Sequence, residues 1–160
     1  MRWLVALASL AGVIVPAASA VPPPIDSTGD SATIVASPAV RGARPAALSL
    51  GLHYEMLCAQ PGRGPVIVAL PSALRIPAAF PTSAVLVNGK AAPAVRVTGH
   101  VVTVSLQPID KFVCQSFVPG TLRIGFTRLA RLGNPRHAGT YAVRARVGSH
   151  SFVARLVIRR

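Results

Sequence analysis

Acidic side chains are scarce in this 160-residue chain, and catalysis by paired carboxylates would depend on them. The four are Asp26, Asp30, Glu55 and Asp110. Asp26 and Asp30 fall in a stretch rich in Pro, Ser and Gly, so Glu55 and Asp110 are the only candidates for an acid–base pair within a folded domain. The sequence contains no G-x-S-x-G, H-E-x-x-H or glycine-rich phosphate loop. We therefore predict a non-catalytic protein without a cofactor, with a secreted enzyme that uses Glu55 and Asp110 as the alternative.

The histidines are the candidate metal ligands, and their spacing does not favour a metal site. His53, His100, His137 and His150 are far apart in sequence, with no pair at short spacing. We predict no metal. A secreted β-sandwich that carries a metal on these dispersed histidines belongs to the same alternative as the enzyme.

Basic residues are the one clear excess in the composition. Lys and Arg number 17 against 4 Asp and Glu, which gives a formal net charge of +13. Such a surface attracts phosphates, acidic polysaccharides and anionic headgroups over a Debye length of roughly 8–10 Å. The alternative is that the arginines only keep a β-rich protein soluble and its sheet edges unpaired.

The N-terminus has the layout of a secretory leader. Arg2 precedes an apolar run over residues 3–15, and Ala18 and Ala20 match the A-x-A cleavage pattern, so we predict a signal peptide over residues 1–20. An uncleaved membrane anchor is the alternative, since residues 3–21 carry no charge and are nearly long enough to span a bilayer. Residues 21–30 are predicted to form a flexible tail and residues 31–160 a single domain. No transmembrane segment is expected after cleavage.

Cys58 and Cys114 are the only cysteines, and in an oxidising compartment an even count indicates a disulfide. With two cysteines only one pairing exists. Closing a loop of about 57 residues would stabilise the fold by roughly 4 kcal/mol if strain is small.

The elements that would position these residues are β-strands. Strict alternation places one apolar set on a common face, namely Leu48, Leu50, Leu52, Tyr54, Met56 and Cys58. Asn88-Gly89 predicts a type I′ hairpin, with Val95 and Val97 on the returning strand. The short strands, frequent turns and lack of a helical pattern after the leader predict an all-β fold. We expect an antiparallel, Ig-like β-sandwich of about seven to nine strands, with a closed barrel as the alternative.

The last two strands are the most clearly specified. A two-residue Gly148-Ser149 loop of type II′ would place Val147 opposite His150 and Ala145 opposite Phe152. This register keeps the apolar residues of both strands on one face. It also makes Arg144 and Arg155 diagonal neighbours on the other face.

A set of arginines shares this outward orientation, and it is the candidate anion-binding site. These residues are Arg123, Arg144, Arg146, Arg155 and Arg159. Like charges this close are unfavourable unless an anion bridges them, which predicts a sheet face that docks on an anionic polymer. The alternative is that the guanidinium groups lie in water while their aliphatic stems cover Val153 and Val157.

Four segments in this order resemble a known family. They are residues 52–54 (LHY), the proline-bracketed residues 70–77, residues 85–89 (VLVNG) and residues 134–141 (NPRHAGTY). Together they resemble an immunoglobulin-like module found singly or repeated in secreted and surface proteins of bacteria, over about residues 32–159. Leu70-Pro71 stands where the module often has an aromatic-proline pair, and the cysteine pair is not general in it. The resemblance implies a scaffold or surface role and supplies no functional residue.

The expected protein is thus secreted or associated with the cell envelope, and its role is structural or an interaction. The expected partner is an anionic cell-envelope polymer or another surface protein. Specific nucleic-acid binding is not expected, because no aromatic side chains alternate with the outward arginines to stack on bases.

Overall fold

The computed structural model describes residues 29–57, 64–107 and 117–160. Within these ranges, ten strands form two antiparallel five-stranded sheets, so the predicted all-β, antiparallel sandwich is confirmed. Among the described residues, no helix has the length and apolar character needed to cross a membrane.

The first sheet has the strand order β1-β2-β8-β4-β5. These strands are β1 (Ser31–Ser37), β2 (Ala47–Leu57), β8 (Phe117–Phe126), β4 (Val85–Val87) and β5 (Lys90–Ala91). The second sheet has the order β10-β9-β3-β7-β6. Its strands are β10 (His150–Ile158), β9 (Gly139–Val147), β3 (Val66–Ala69), β7 (Val101–Val104) and β6 (Val95–Thr98). Short 3₁₀ turns occupy Thr82–Ala84 and Arg128–Ala130.

The core lies between the two sheets and is built by the predicted alternation. Leu50 and Leu52 of β2, Leu122 and Ile124 of β8, and Leu156 of β10 are fully buried. Each strand gives its other face to solvent, because successive side chains of a strand point to opposite sides. The apolar pattern of the sequence therefore fixes which arginines face outward.

The β9–β10 hairpin has the predicted register. Val147 lies opposite His150 and Ala145 opposite Phe152. Gly148 has φ +56°, and Ser149 is not among the residues with positive φ, as a type II′ turn requires. Asn88 and Gly89 both have positive φ, which confirms the type I′ turn.

The return strand of the Asn88-Gly89 hairpin was predicted wrongly. Val87 pairs with Lys90, so the short β5 closes the hairpin, whereas Val95 and Val97 lie in β6 of the opposite sheet, which pairs with β7. Pro93 stands between the two segments, cannot donate a ladder hydrogen bond, and marks the break. This division raises the count to ten strands, above the seven to nine expected.

The chain also passes between sheets after β1. Val40 forms a parallel bridge with Arg159, and the Arg159 amide donates to the Ala39 carbonyl at 2.8 Å. The first strand thus pairs with the first sheet, while the segment that follows it lies along the end of β10.

Candidate functional site: two arginine surfaces

The outward side of the second sheet, which we call the arginine face, carries three of the five predicted anion-binding residues. Arg144 lies opposite Val153 and Arg155 opposite Ala142, so Arg144 and Arg155 are diagonal neighbours as predicted. Arg146 stands one outward position further along β9, exposed, and its Nε donates to the Gly148 carbonyl at 3.2 Å. These three side chains share one surface.

Arg96 is a fourth member of this face and was not among the predicted anion-binding residues. It is exposed on β6, opposite Thr103 of β7, and the row continues through Ile67 to Arg146. Arg96 lies between Val95 and Val97, whose predicted place on the return strand of the Asn88-Gly89 hairpin is on the wrong sheet. The alternation of Val95, Arg96 and Val97 gave its orientation but not its partners.

Arg123 and Arg159 do not belong to the arginine face, and this corrects the predicted five-residue surface. Arg123 is exposed on β8 of the first sheet, whose outward side faces the opposite direction. Its amide donates to Asn88 Oδ1 at 2.9 Å. Arg159 follows β10 at one end of the sandwich. Alternation along a strand tells which residues face out, but it does not tell which sheet the strand joins.

Aliphatic side chains lie exposed between the arginines of this face. Val153 and Val157 of β10 are 55% and 52% exposed, and Ile67 and Val101 are also exposed. About half of each valine is therefore open to solvent, which the alternative of arginine stems lying over Val153 and Val157 does not account for. No side-chain carboxylate lies on this face, and no arginine forms an ion pair with one within the part of the chain that is described.

A second concentration of arginines lies at one end of the sandwich, which we call the loop end. It consists of residues 38–46, 70–84, 98–100, 127–138 and 159–160, the connections that meet where β2 begins and β8 ends. Its exposed arginines are Arg41, Arg44, Arg75, Arg128, Arg131, Arg136, Arg159 and Arg160. Both carboxylate residues of the described ranges, Asp30 and Glu55, lie towards the opposite end.

Two clefts of about 390 and 380 Å³ open at the loop end, and Ser72, Leu74 and Arg75 contribute to the lining of both. The first is lined by Arg44, Arg75 and His100, with Ile76 and Pro77 as its apolar side. The second is lined by Arg75 together with Arg136, His137, Pro135 and Tyr141. Arg75 and Ser72 line both clefts. These positions were not predicted, because they are spread over four loops that only the topology brings together.

Buried backbone pairing holds the walls of these clefts. The Arg75 amide donates to the Gly133 carbonyl and the Gly133 amide to the Arg75 carbonyl, both at 2.9 Å. The buried Asn134 donates from Nδ2 to the carbonyls of Pro38 and Val40, at 2.7 and 2.8 Å. The loops are therefore fixed to one another through their main chains, while the arginine side chains remain at the surface.

A third cluster joins the N-terminal segment to the β9–β10 turn. His150 Nδ1 lies 2.8 Å from Asp30 Oδ2, and the Tyr54 ring contacts the His150 ring at a centroid distance of 4.8 Å. Burial, with a smaller contribution from the Asp30 carboxylate, raises the pKa of Tyr54 to about 12. Asp30 is the last residue of the predicted tail, and its carboxylate is 10% exposed and lies against His150.

The described residues that an enzyme or a metal carrier would use do not form a cluster. Glu55 is exposed on the outward face of β2, and Asp110 lies outside the described residues. His53 is on the first sheet beside Thr121 at 3.1 Å, far along the chain from His100 and His137 at the loop end. In the three described ranges, no three His, Cys, Asp or Glu side chains lie together as metal ligands would. Cys58 and Cys114 both lie outside these ranges, so their disulfide stays a prediction.

No family model and no curated protein matches this chain. Among solved structures, the fold is similar to that of BslA, described as a bacterial hydrophobin, with a TM-score of 0.50 and 19% sequence identity. The match covers 81% of this chain and 96% of the BslA chain. At this identity the similarity is one of fold.

Proposed function

We propose that this protein is a non-catalytic module that works outside the cytoplasm, where its arginine face docks on an anionic polymer of the cell envelope. The observation that carries the proposal is the composition of that face. Arg96, Arg144, Arg146 and Arg155 project from one sheet with exposed aliphatic groups between them, and none of the described carboxylates lies among them.

The absence of acidic neighbours on that face favours binding over mere solubility. A surface that only resists aggregation mixes both signs of charge, since a large single-sign field draws in counterions and polyanions. Here Arg144 and Arg155 are diagonal neighbours on adjacent strands, and neither Asp30 nor Glu55, the two carboxylate residues in the described ranges, stands beside them. A chain of anionic groups laid across the strands would neutralise several guanidinium groups at once.

The extracytoplasmic location rests on the predicted leader. One solved structure with a similar fold is described as a bacterial hydrophobin. Membership of the Ig-like family of bacterial surface modules is part of the same proposal. It is supported by Tyr141, near the start of β9, whose hydroxyl donates to the His137 carbonyl at 2.8 Å, as in the tyrosine corner of Ig-like domains.

The test is retention of the purified protein on isolated cell envelope at low and high salt. The double variant Arg144→Gln/Arg155→Gln should lower the affinity at low salt by about tenfold, because two exposed charge contacts in the upper part of the range of roughly 0.2–1 kcal/mol each together contribute about 1.4 kcal/mol. The matched control is Arg123→Gln/Lys90→Gln, which removes the same charge from the first sheet. We expect the control to change the affinity by less than about threefold.

Two results would overturn the proposal. One is an absence of retention at low salt by the unaltered protein. The other is an equal loss in both double variants, because then only net charge, and not the arginine face, would determine binding. Turnover of an envelope substrate, or stoichiometric uptake of Cu²⁺ or Zn²⁺ with a rise in melting temperature, would instead favour the enzyme or metal-carrier alternative.

A further inference from the structure

The clefts of the loop end are separate from the arginine face, and they differ from it in shape. On the arginine face, guanidinium groups project from a sheet surface. At the loop end, Arg44, Arg75 and Arg136 line concave walls, with His100 in one cleft and His137 in the other. From this convergence we propose that the loop end is a binding site for a phosphate-bearing ligand, with Arg75 contacting phosphate from between the two clefts.

The first step is the closeness of Arg44 and Arg75. A methyl group on Gly133 would lie 3.2 Å from Cβ of Arg75 and 3.7 Å from Cδ of Arg44, so both aliphatic stems pack against the same glycine. Two guanidinium groups on stems this close repel each other. No carboxylate pairs with either of them in the described ranges. A bound anion would relieve this repulsion.

The second step is the chemistry of the anion. A planar carboxylate is satisfied by the fork of one guanidinium, through two parallel hydrogen bonds. The first cleft is lined by two arginines and a histidine from three separate loops, and Ser72 also lines it. Donors that approach from several directions match a tetrahedral group with three terminal oxygens, which is a phosphate. The second cleft again combines Arg75 with another arginine and a histidine, here Arg136 and His137. A ligand with two adjacent phosphates therefore fits best.

The third step is that the site is formed before any ligand arrives. The main chain of Arg75 is paired with Gly133 in both directions, and the neighbouring Leu74 is buried with its amide bonded to the Pro71 carbonyl at 3.0 Å. Binding therefore has to order side chains but not loops, which lowers its entropic cost. Replacing Arg75 at this exposed position should also leave the fold intact.

The experiment is calorimetric titration of the full chain with pyrophosphate, with inorganic phosphate and, as the carboxylate comparator, with malonate. We expect saturable one-to-one binding of pyrophosphate. Arg75→Gln should lower the affinity for pyrophosphate by at least about tenfold, because it removes charge-assisted hydrogen bonds, which contribute roughly 1.5–3 kcal/mol each. The matched control is Arg128→Gln, because Arg128 is exposed at the same end and lines neither cleft. That control should change the affinity by less than about twofold.

Gly133→Ala is a second variant, and it alters geometry without altering charge. Its new methyl group would press on Arg75 Cβ, so pyrophosphate affinity should fall while the net charge stays the same. Equal losses in Arg75→Gln and Arg128→Gln would overturn the proposal, and so would malonate binding as tight as that of pyrophosphate. Thermal unfolding of each variant verifies that it is folded.

The source of the phosphate is decided by a further arm with poly(glycerol phosphate). Tighter binding of this polymer than of inorganic phosphate identifies a polymer site, and the reverse identifies a site for a free anion; either result supports the phosphate chemistry. The variant Arg144→Gln/Arg155→Gln should bind pyrophosphate normally. The loop-end site and the docking function of the arginine face can therefore fail independently.

Discussion

Asn134 gives the sharpest test of how the loop end is held together. It is the one buried polar side chain of the described residues, with 1% of its surface exposed. Its Nδ2 group donates to two carbonyls of the segment that follows β1, those of Pro38 and Val40. Its Oδ1 has no hydrogen-bond partner within the described structure. The side chain thus acts chiefly as a double donor.

Asn134→Ala should lower the free energy of unfolding by about 2–4 kcal/mol. The two lost hydrogen bonds are part-buried and contribute roughly 0.5–1.5 kcal/mol each, and removal of the buried side chain adds the cost of the cavity that it leaves. For a domain of this size the melting temperature should fall by roughly 10 °C. Urea denaturation followed by circular dichroism measures the change.

Asn134→Asp removes the Nδ2 donor but keeps the size of the side chain, so it tests the hydrogen bonds apart from the packing. The carboxylate has the same size but would direct an acceptor towards two carbonyl oxygens, so at neutral pH this variant should be less stable than Asn134→Ala. The matched control is Asn88→Gly, which removes an exposed hydrogen bond to the Arg123 amide and keeps the positive φ of the turn; its cost should stay below about 1 kcal/mol. A loss below 1 kcal/mol in Asn134→Ala, or an aspartate variant as stable as the parent, would refute this account of the loop end.

Two further predictions concern stability. The pKa of Tyr54 is raised from 10.0 to about 12, so the folded state keeps the phenol proton after the unfolded chain has lost it. Stability from this group is therefore complete below pH 10 and declines as the pH rises to about 12, by about 2–3 kcal/mol in all. Urea unfolding across that range should show the decline in the parent and in Tyr141→Phe but not in Tyr54→Phe; a decline that persists in Tyr54→Phe would contradict the assignment. Gly89→Ala should cost about 1–2 kcal/mol, because Gly89 has φ +83° with open space around it, so only the backbone conformation is penalised. At Gly125 φ is ordinary, and an added methyl group would lie 3.7 Å from its nearest neighbour, Leu86 Cβ. Gly125→Ala should therefore change stability by less than about 0.5 kcal/mol. Equal costs at both glycines would exclude the backbone explanation.

The sequence predicted the strands well wherever one face is buried. In β2 and in the β9–β10 hairpin, a shift of one residue would expose every apolar side chain, so alternation fixes both the strand and its register. The hairpin turns were equally predictable, because Asn88-Gly89 and Gly148 supply the positive φ that each turn type needs. These are local properties of the chain.

What could not be predicted is how separate strands and loops are brought together. Arg123 and Arg144 have the same local pattern, and only the strand order shows that they lie on opposite sheets. Arg44 and Arg75 are distant in sequence and meet over Gly133, which belongs to a third loop. Asp30 looks like part of a polar tail until its partner, His150, is located 120 residues away. Each of these is a long-range contact, which composition and periodicity do not encode.

The placement of charge also gives the molecule a direction. The eight loop-end arginines lie at one end, while Asp30 and Glu55 lie towards the other, so a polyanionic surface would attract the loop end first. Asp30 lies against His150 at the end opposite the clefts. An anionic polymer that meets the loop end first would therefore find no carboxylate of the described residues beside it, and the adjacent arginine face could contact the same polymer.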